Sequence, residues 1–257
     1  MTNSTGCWNG SLILPRARKA GGRQRTNARW CRASSGFSTT VRSGRTCRAG
    51  SARRALRIVV FQKWVRDGVF ESVLYEAGRC VEEHDGYRLY ECFIDGTFSK
   101  APGGGDGIAC TRVGKGVKIM VLVDAHGLPV AVDTTSASPH ENRLVQRLFD
   151  FMLTQDPAER VIGDKAYDCD ELDEELAERG TELIAPHRAN RKPESVTQDR
   201  HPLRRYVRRW TVERTIAWIQ HFRRLCIRWE KSTKLFQGFL HFACTLLPLR
   251  QVLDRSY

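Results

Sequence analysis

YECFIDGTF, residues 90–98, decides the fold. Its β-branched and aromatic side chains alternate around Asp95, which reads as a buried strand with a carboxylate projecting from it. A buried, unpaired carboxylate is costly, and it persists only beside a proton, a cationic partner or a metal ion. Working outward, RVIGDKAYD (160–168) is a second short strand, Arg160 to Gly163, with Asp164 at its end. YVRRWTVERTIAWIQ (206–220) is a helical pattern in which Tyr206, Arg209, Glu213 and Gln220 share one face. Val212, Ile216 and Ile219 form an apolar stripe elsewhere on that helix. Asp95, Asp164 and Glu213 together read as a split metal site.

Each acid also has a plainer reading. Asp95 suits a turn cap at Gly96, Asp164 suits an N-cap before the next helix, and Glu213 suits an i,i+4 ion pair with Arg209.

The rest of the chain surrounds these three stretches with a mixed α/β pattern. FQKWVRDGVFESVLYEAGR (61–79) reads as a leading helix despite Gly68. Val117–Asp124 and Pro129–Thr135 read as a hairpin beside the first strand, giving three consecutive antiparallel strands. KAPGGGDGIACTRVGKG (100–116), with six glycines, reads as a mobile connection. Ser138, Pro139 and Glu141 have the spacing of a capping box opening a helix to about Leu153, so Glu141 and His140 are set aside as structural. A helix over about Asp170–Arg179 and a short fifth strand, Glu182–Ala185, follow. Between His187 and Arg209 stand eight Lys or Arg against two acids, a basic loop entering the Glu213 helix. Ser232–Asp254 reads as an apolar helix distorted at Pro248.

The order strand-Asp, strand-end Asp, helix-Glu resembles that of the DDE transposases. The blocks DGTF, GKGVKIMVLVDAHGLPV, GDKAYD, IAPHRANRK and RWTVERTIAWIQHFRRL resemble those of bacterial insertion-sequence transposases of the group named for insertion sequence five. Tyr206, Arg209 and Glu213 have the spacing of the signature of the related group named for insertion sequence four, whose final lysine is replaced here by Gln220. The resemblance implies an RNase H-like core: a mixed five-stranded sheet with helices on both faces over residues 88–225, within a catalytic domain spanning 61–257. It implies metal-dependent cleavage of element ends and strand transfer, with Asp95, Asp164 and Glu213 holding two Mg²⁺ ions, or Mn²⁺ in their place. Implied partners are DNA, as terminal inverted repeats and target, and further copies of the chain, at least a dimer on DNA. Tyr206 and Arg209 become candidates for DNA contact, and Lys165, Arg188, Arg191 and Lys192 for phosphate contact, against a solvated basic face as the plainer reading.

Charge divides the chain. The net formal charge is +13, yet residues 1–66 hold 15 Lys+Arg and no acid, while the remainder holds 27 basic against 29 acidic residues. Residues 1–60 therefore read as an irregular basic segment. It is either a DNA-binding arm or a stretch translated from a shifted frame relative to an intact ancestor. The alternative function that follows is a catalytically idle DNA-binding remnant; a general nuclease on the same fold is a third. Nine cysteines without a C-x-x-C pair point to reduced thiols, and no apolar run reaches membrane-spanning length, so a cytoplasmic, nucleoid-associated location is expected.

Overall fold

The computed structural model describes residues 47–84, 86–189, 191 and 200–254. Most of the irregular N-terminal segment, with the frame-shift question attached to it, and Lys192 lie outside the described residues. The helices are α1 (Cys47–Arg66), α2 (Val69–His84), α3 (Val145–Phe149), α4 (Asp170–Glu178), α5 (Arg200–Leu203), α6 (Trp210–Gln220), α7 (Arg223–Cys226) and α8 (Thr233–Asp254). The strands are β1 (Cys92–Lys100), β2 (Ala109–Thr111), β3 (Gly114–Val123), β4 (Pro129–Ser136), β5 (Arg160–Ile162) and β6 (Glu182–Ile184).

The sheet is mixed. β1 runs antiparallel to β3, and β3 antiparallel to β4, whereas β5 joins β1 in parallel and β6 joins β5 in parallel. This is the RNase H-like arrangement expected from the sequence, with six strands instead of five. The extra one, β2, pairs with Gly114–Gly116 at the start of β3, end to end with β4 on the same edge. Period-2 alternation sends successive residues to opposite faces. Cys92, Ile94, Met120 and Leu122 pack with Leu144, Leu148, Leu172 and Leu176 from the α3/α4 side. Phe93, Ile119 and Val121 pack with Val212, Ile216, Ile219, Phe236 and Leu240 from the α6/α8 side. The apolar stripe read on α6 is therefore its buried face.

Three expectations are corrected. The leading helix is two helices, and the first begins at Cys47, inside the segment read as irregular. Gly68, at φ +69°, takes the left-handed conformation that ends one helix before the next starts. Midway along α1, Leu56, Ile58 and Val59 are exposed, and no apolar periodicity announces the helix. Its last turns are fixed by Phe61, stacked on Phe239 with centroids 4.2 Å apart, and by the bare Gly238, where a Cβ would lie 2.5 Å from Val65 Cγ2.

The glycine-rich connection, read as mobile, is fastened at its centre. Gly105 (φ +137°) lies so close to the chain that a Cβ there would sit 2.4 Å from the Lys231 carbonyl oxygen. Asp106 Oδ1 accepts from Thr233 N at 2.5 Å and from Arg228 Nη2 at 2.8 Å, so this loop caps α8.

The helix expected to reach Leu153 is a 3₁₀ turn, Glu141–Leu144, followed by the short α3. Its N-cap is His140 with no side-chain cap bond. The capping box does not form, because Glu141 is drawn instead toward Lys118, 3.3 Å away.

α8 continues through Pro248. Its His241 is largely buried beside Gln237, whose Oε1 accepts from the Thr134 hydroxyl and whose Nε2 stands 2.7 Å from His241 Nε2. That nitrogen must then carry a lone pair, and burial accordingly lowers the His241 pKa to about 4. A depressed folded-state value favours the neutral form. The stabilisation is present above the ordinary value of about 6.5 and is lost as pH falls from there toward 4. Urea unfolding at pH 7.0 and 4.5 is expected to show a loss of up to about 3 kcal/mol from this residue. In His241→Gln the two pH values lie closer together by that amount, and an identical pH dependence in the variant would contradict the assignment.

Candidate active site

The β1–β5 register places two of the three acids. Cys92 pairs with Val161 and Phe93 with Ile162. Carried two residues past the last pair, where β5 ends and β1 continues, the same register brings Asp95 toward Asp164, whose charge bears on Asp95. Strand periodicity alone could not supply this, because it depends on how two distant strands align.

Asp95 is partly buried. Its Oδ1 accepts from Gly96 N at 2.8 Å and its Oδ2 from Arg209 Nη2 at 2.7 Å. Burial raises the Asp95 pKa, and the Asp164 charge raises it further; Arg209 and the Gly96 N–H only partly offset them. Asp164 Oδ1 caps the 3₁₀ turn Lys165–Tyr167 by accepting from Ala166 N at 2.8 Å. The plainer readings of both aspartates are thus realised in part, each with one carboxylate oxygen committed to backbone.

Glu213 stands in the first turn of α6 with 56% of its side chain exposed, 3.5 Å from Arg209 Nη1. Arg209 is the hub: its guanidinium touches Asp95, Glu213 and the Tyr206 hydroxyl, the last at 3.3 Å. The structure therefore brings Asp95 and Glu213 to one shared cation, which is Arg209 itself. Among the described residues, no three His, Cys, Asp or Glu side chains stand close enough to hold a metal ion directly. Gln220, where the related signature has lysine, donates to Thr97 Oγ1 at 2.5 Å. Tyr206 and Arg209 lie in a 3₁₀ segment, Arg204–Arg209, that precedes α6.

The basic residues separate. Lys165 is exposed on the turn after Asp164. Arg188 donates to the Lys165 and Ala166 carbonyls at 2.9 and 2.7 Å, and its backbone N–H to Asp168 at 2.7 Å. Arg191 bonds Asp168 and Asp170. Arg188 and Arg191 thus brace the turn that carries Asp164. Asp168, which also accepts from His187 Nδ1 at 2.8 Å, is the centre of that brace.

Sequence reasoning missed Glu91. Its side chain is 3% exposed and is held by Arg205 Nη1 at 3.2 Å and by Arg208 Nη1. This buried clamp fixes the 3₁₀ segment on the sheet and so delivers Arg209 to Asp95. The arginine-rich run Arg204–Arg209 was the available signal, but nothing in it named the acid that it meets. Glu91→Gln removes the charge both arginines share and is expected to cost about 1–3 kcal/mol in urea unfolding. Stability equal to wild type would contradict the clamp.

Residues 88–247 match the family described as "Transposase DDE domain", and the chain belongs to that family. It is 34% identical over 144 residues to a protein of Burkholderia cepacia named as a transposase for insertion sequence element IS402, covering 53% of this chain and 64% of that one. It is 29% identical over 137 residues to a protein of Brucella ovis named as a transposase for insertion sequence element IS6501, covering 52% and 98% respectively. Among solved structures it is similar to the piggyBac transposase synaptic complex with hairpin DNA, at 12% identity and a TM-score of 0.49, over 65% of this chain and 48% of that one. Among the described residues, no helix is long and apolar enough to cross a membrane.

Proposed function

We propose that the chain is a DNA transposase that cuts the ends of an insertion sequence and joins the freed 3′-hydroxyls to target DNA. What supports this is that the β1–β5 register, carried two residues past its last pair, brings Asp95 toward Asp164, whose charge bears on Asp95, with Glu213 in the first turn of the nearby α6. The donor set fits divalent metal: hard carboxylate oxygens suit Mg²⁺ or Mn²⁺, and Asp95 is a partly buried carboxylate under the charge of a second, Asp164. Asp95 and Asp164 would be the inner ligands, with Glu213 completing the set once Arg209 releases it. What such ions supply is a more acidic bound water and charge neutralisation on the phosphoryl oxygens.

The chain's own groups do the rest. Arg209 exchanges its carboxylate contacts for a DNA phosphate, Tyr206 stacks beside it, and Lys165 meets backbone next to Asp164. Two ends must be held at once, so the working form is at least a dimer on DNA.

The test is a supercoiled plasmid carrying a pair of the element's inverted repeats, incubated with the protein and Mg²⁺ or Mn²⁺. Nicks that map to the repeats and join to target DNA are the expected products. Cleavage indifferent to the repeats would make the protein a general nuclease. Binding without cleavage would make it an idle remnant, a reading that the half-exposed, arginine-bound Glu213 favours.

A further inference from the structure

Beyond Asp95, the far end of β1 carries a strongly basic face. Lys100, the last residue of β1, pairs with Gly116 of β3 and bridges to Ile227, and its carbonyl accepts from Arg228 N at 2.8 Å. Cys110 of β2 pairs with Lys115, and Ala101 N donates to the Lys115 carbonyl at 2.9 Å. These bonds gather the β2–β3 hairpin, the end of β1 and the chain after α7 at one end of the sheet. Within residues 97–117 and 221–236, eight Lys or Arg stand against two acids, Asp106 and Glu230. Both acids are occupied, Asp106 by Arg228 and Glu230 by Arg224. Lys100, Arg112, Lys115, Arg223 and Lys231 are exposed there, and among the described residues none of the five has an acidic partner.

Trp229 supplies a second, independent observation. It is 60% exposed, the most of any described tryptophan. Trp210, at 54%, lies under the Arg214 guanidinium, 4.9 Å from its ring centroid. Among the described residues, no aromatic or cationic side chain covers the Trp229 ring in that way. Its backbone is nevertheless anchored. Arg228 before it is fully buried, Glu230 after it is 8% exposed, and Trp229 N donates to Glu230 Oε2 at 3.2 Å. Two buried charged neighbours thus hold a large apolar ring out in water, where it forfeits the burial that such rings ordinarily supply.

We propose that this face binds single-stranded DNA, with Trp229 stacking on a base and Lys100, Arg112, Lys115, Arg223 and Lys231 meeting the phosphates around it. The inference rests on the DNA reading of the chain, and not on cleavage. Unneutralised cations attract phosphate of any strand, but an open indole face is useful only to a base that is not already stacked in a duplex. Lys100 stands five residues beyond Asp95, roughly 17 Å along the strand, so this surface is separate from the contacts proposed for Tyr206 and Arg209.

The experiment is fluorescence anisotropy of a labelled oligothymidylate, and of a labelled duplex of the same length, titrated with the full chain from roughly 50 to 200 mM salt. Cations elsewhere in the chain contribute equally to wild type and variants, so the differences report this face. Trp229→Leu is expected to weaken oligothymidylate binding about 5- to 100-fold and duplex binding by less than about twofold, and Trp229→Phe, which keeps an aromatic face, to restore most of the loss. Lys100→Gln, Arg112→Gln and Lys115→Gln combined are expected to lower the slope of log affinity against log salt by about two for the single strand. Wild-type affinity for oligothymidylate in Trp229→Leu, or an equal loss on duplex, overturns the proposal, as does a wild type that binds duplex but not oligothymidylate. Binding of neither DNA overturns the DNA reading and this surface with it. Oligothymidylate binding that depends on Trp229, in a chain that leaves repeat-bearing plasmid uncut, upholds the surface and removes the transposase reading alone. Should Trp229→Leu fail to fold by circular dichroism, the triple variant decides: an unchanged salt slope overturns the proposal.

Discussion

Asp95→Asn is expected to lower metal-dependent cleavage of end-bearing DNA by about 10²–10³-fold, the scale seen when a preorganised electrostatic element of an active site is removed. Asparagine keeps the volume, and its carbonyl can still accept from Gly96 N–H. What it removes is one of the two anionic oxygen donors that the β1–β5 register brings toward each other. Two effects on stability oppose each other. The variant relieves the desolvated charge and its repulsion with Asp164, and it breaks the 2.7 Å bond from Arg209. A net change within about 1 kcal/mol follows. Single-turnover cleavage rates and urea midpoints check both halves. Cleavage within tenfold of wild type would remove Asp95 from the chemistry, and a large loss of stability would make any loss of activity uninformative.

Arg228→Met is expected to give the largest loss of stability, about 2–4 kcal/mol, because it removes a fully buried guanidinium that donates to two carbonyls, to Thr233 and to the exposed Asp106 carboxylate. For a domain of this size that corresponds to roughly 10 °C in Tm. Arg228 is fully buried, its ring-facing side over Phe236, and it donates to Asp106, to the Glu230 and Lys231 carbonyls and to Thr233. Methionine replaces the stem but satisfies none of these acceptors, so the glycine-rich connection and the start of α8 separate together. Differential scanning calorimetry reads the effect. A Tm within 2–3 °C of wild type, less than about 1 kcal/mol at this size, would show that the loop is held by other contacts.

The network around Arg228 also shows where sequence reading stops. Six glycines in seventeen residues signalled freedom, and the positive φ values bear out the backbone part of that reading. Whether such a loop moves depends on a partner more than a hundred residues away, and no local pattern encodes Asp106 meeting Arg228 and Thr233. The sheet was legible for the opposite reason: β1, β3, β4, β5 and β6 each carry their own apolar pattern, and β2, three residues long, carries none.

Helix ends were read less well. At Gly68 the apolar positions on either side suggested continuity, although Asp67-Gly68 offered a stop. At Ser138–Glu141 the spacing of a capping box was present, but the stronger attraction of Lys118 claimed the glutamate. For the site itself, residue types and order named Asp95, Asp164 and Glu213. Tertiary alignment supplied what they lacked: the register that brings the aspartates toward each other, the Glu91 clamp, and the guanidinium of Arg209 standing between Asp95 and Glu213.

The measurement that tests the central claim most directly is cleavage of DNA bearing the flanking inverted repeats, in Mg²⁺ or Mn²⁺, by the wild-type chain and by Asp164→Asn side by side, with the new ends mapped. The account predicts metal-dependent 3′-hydroxyl ends at the repeats with the wild type and none above background with the variant. Equal cleavage by both proteins, or none by a folded, DNA-binding wild type, would contradict it.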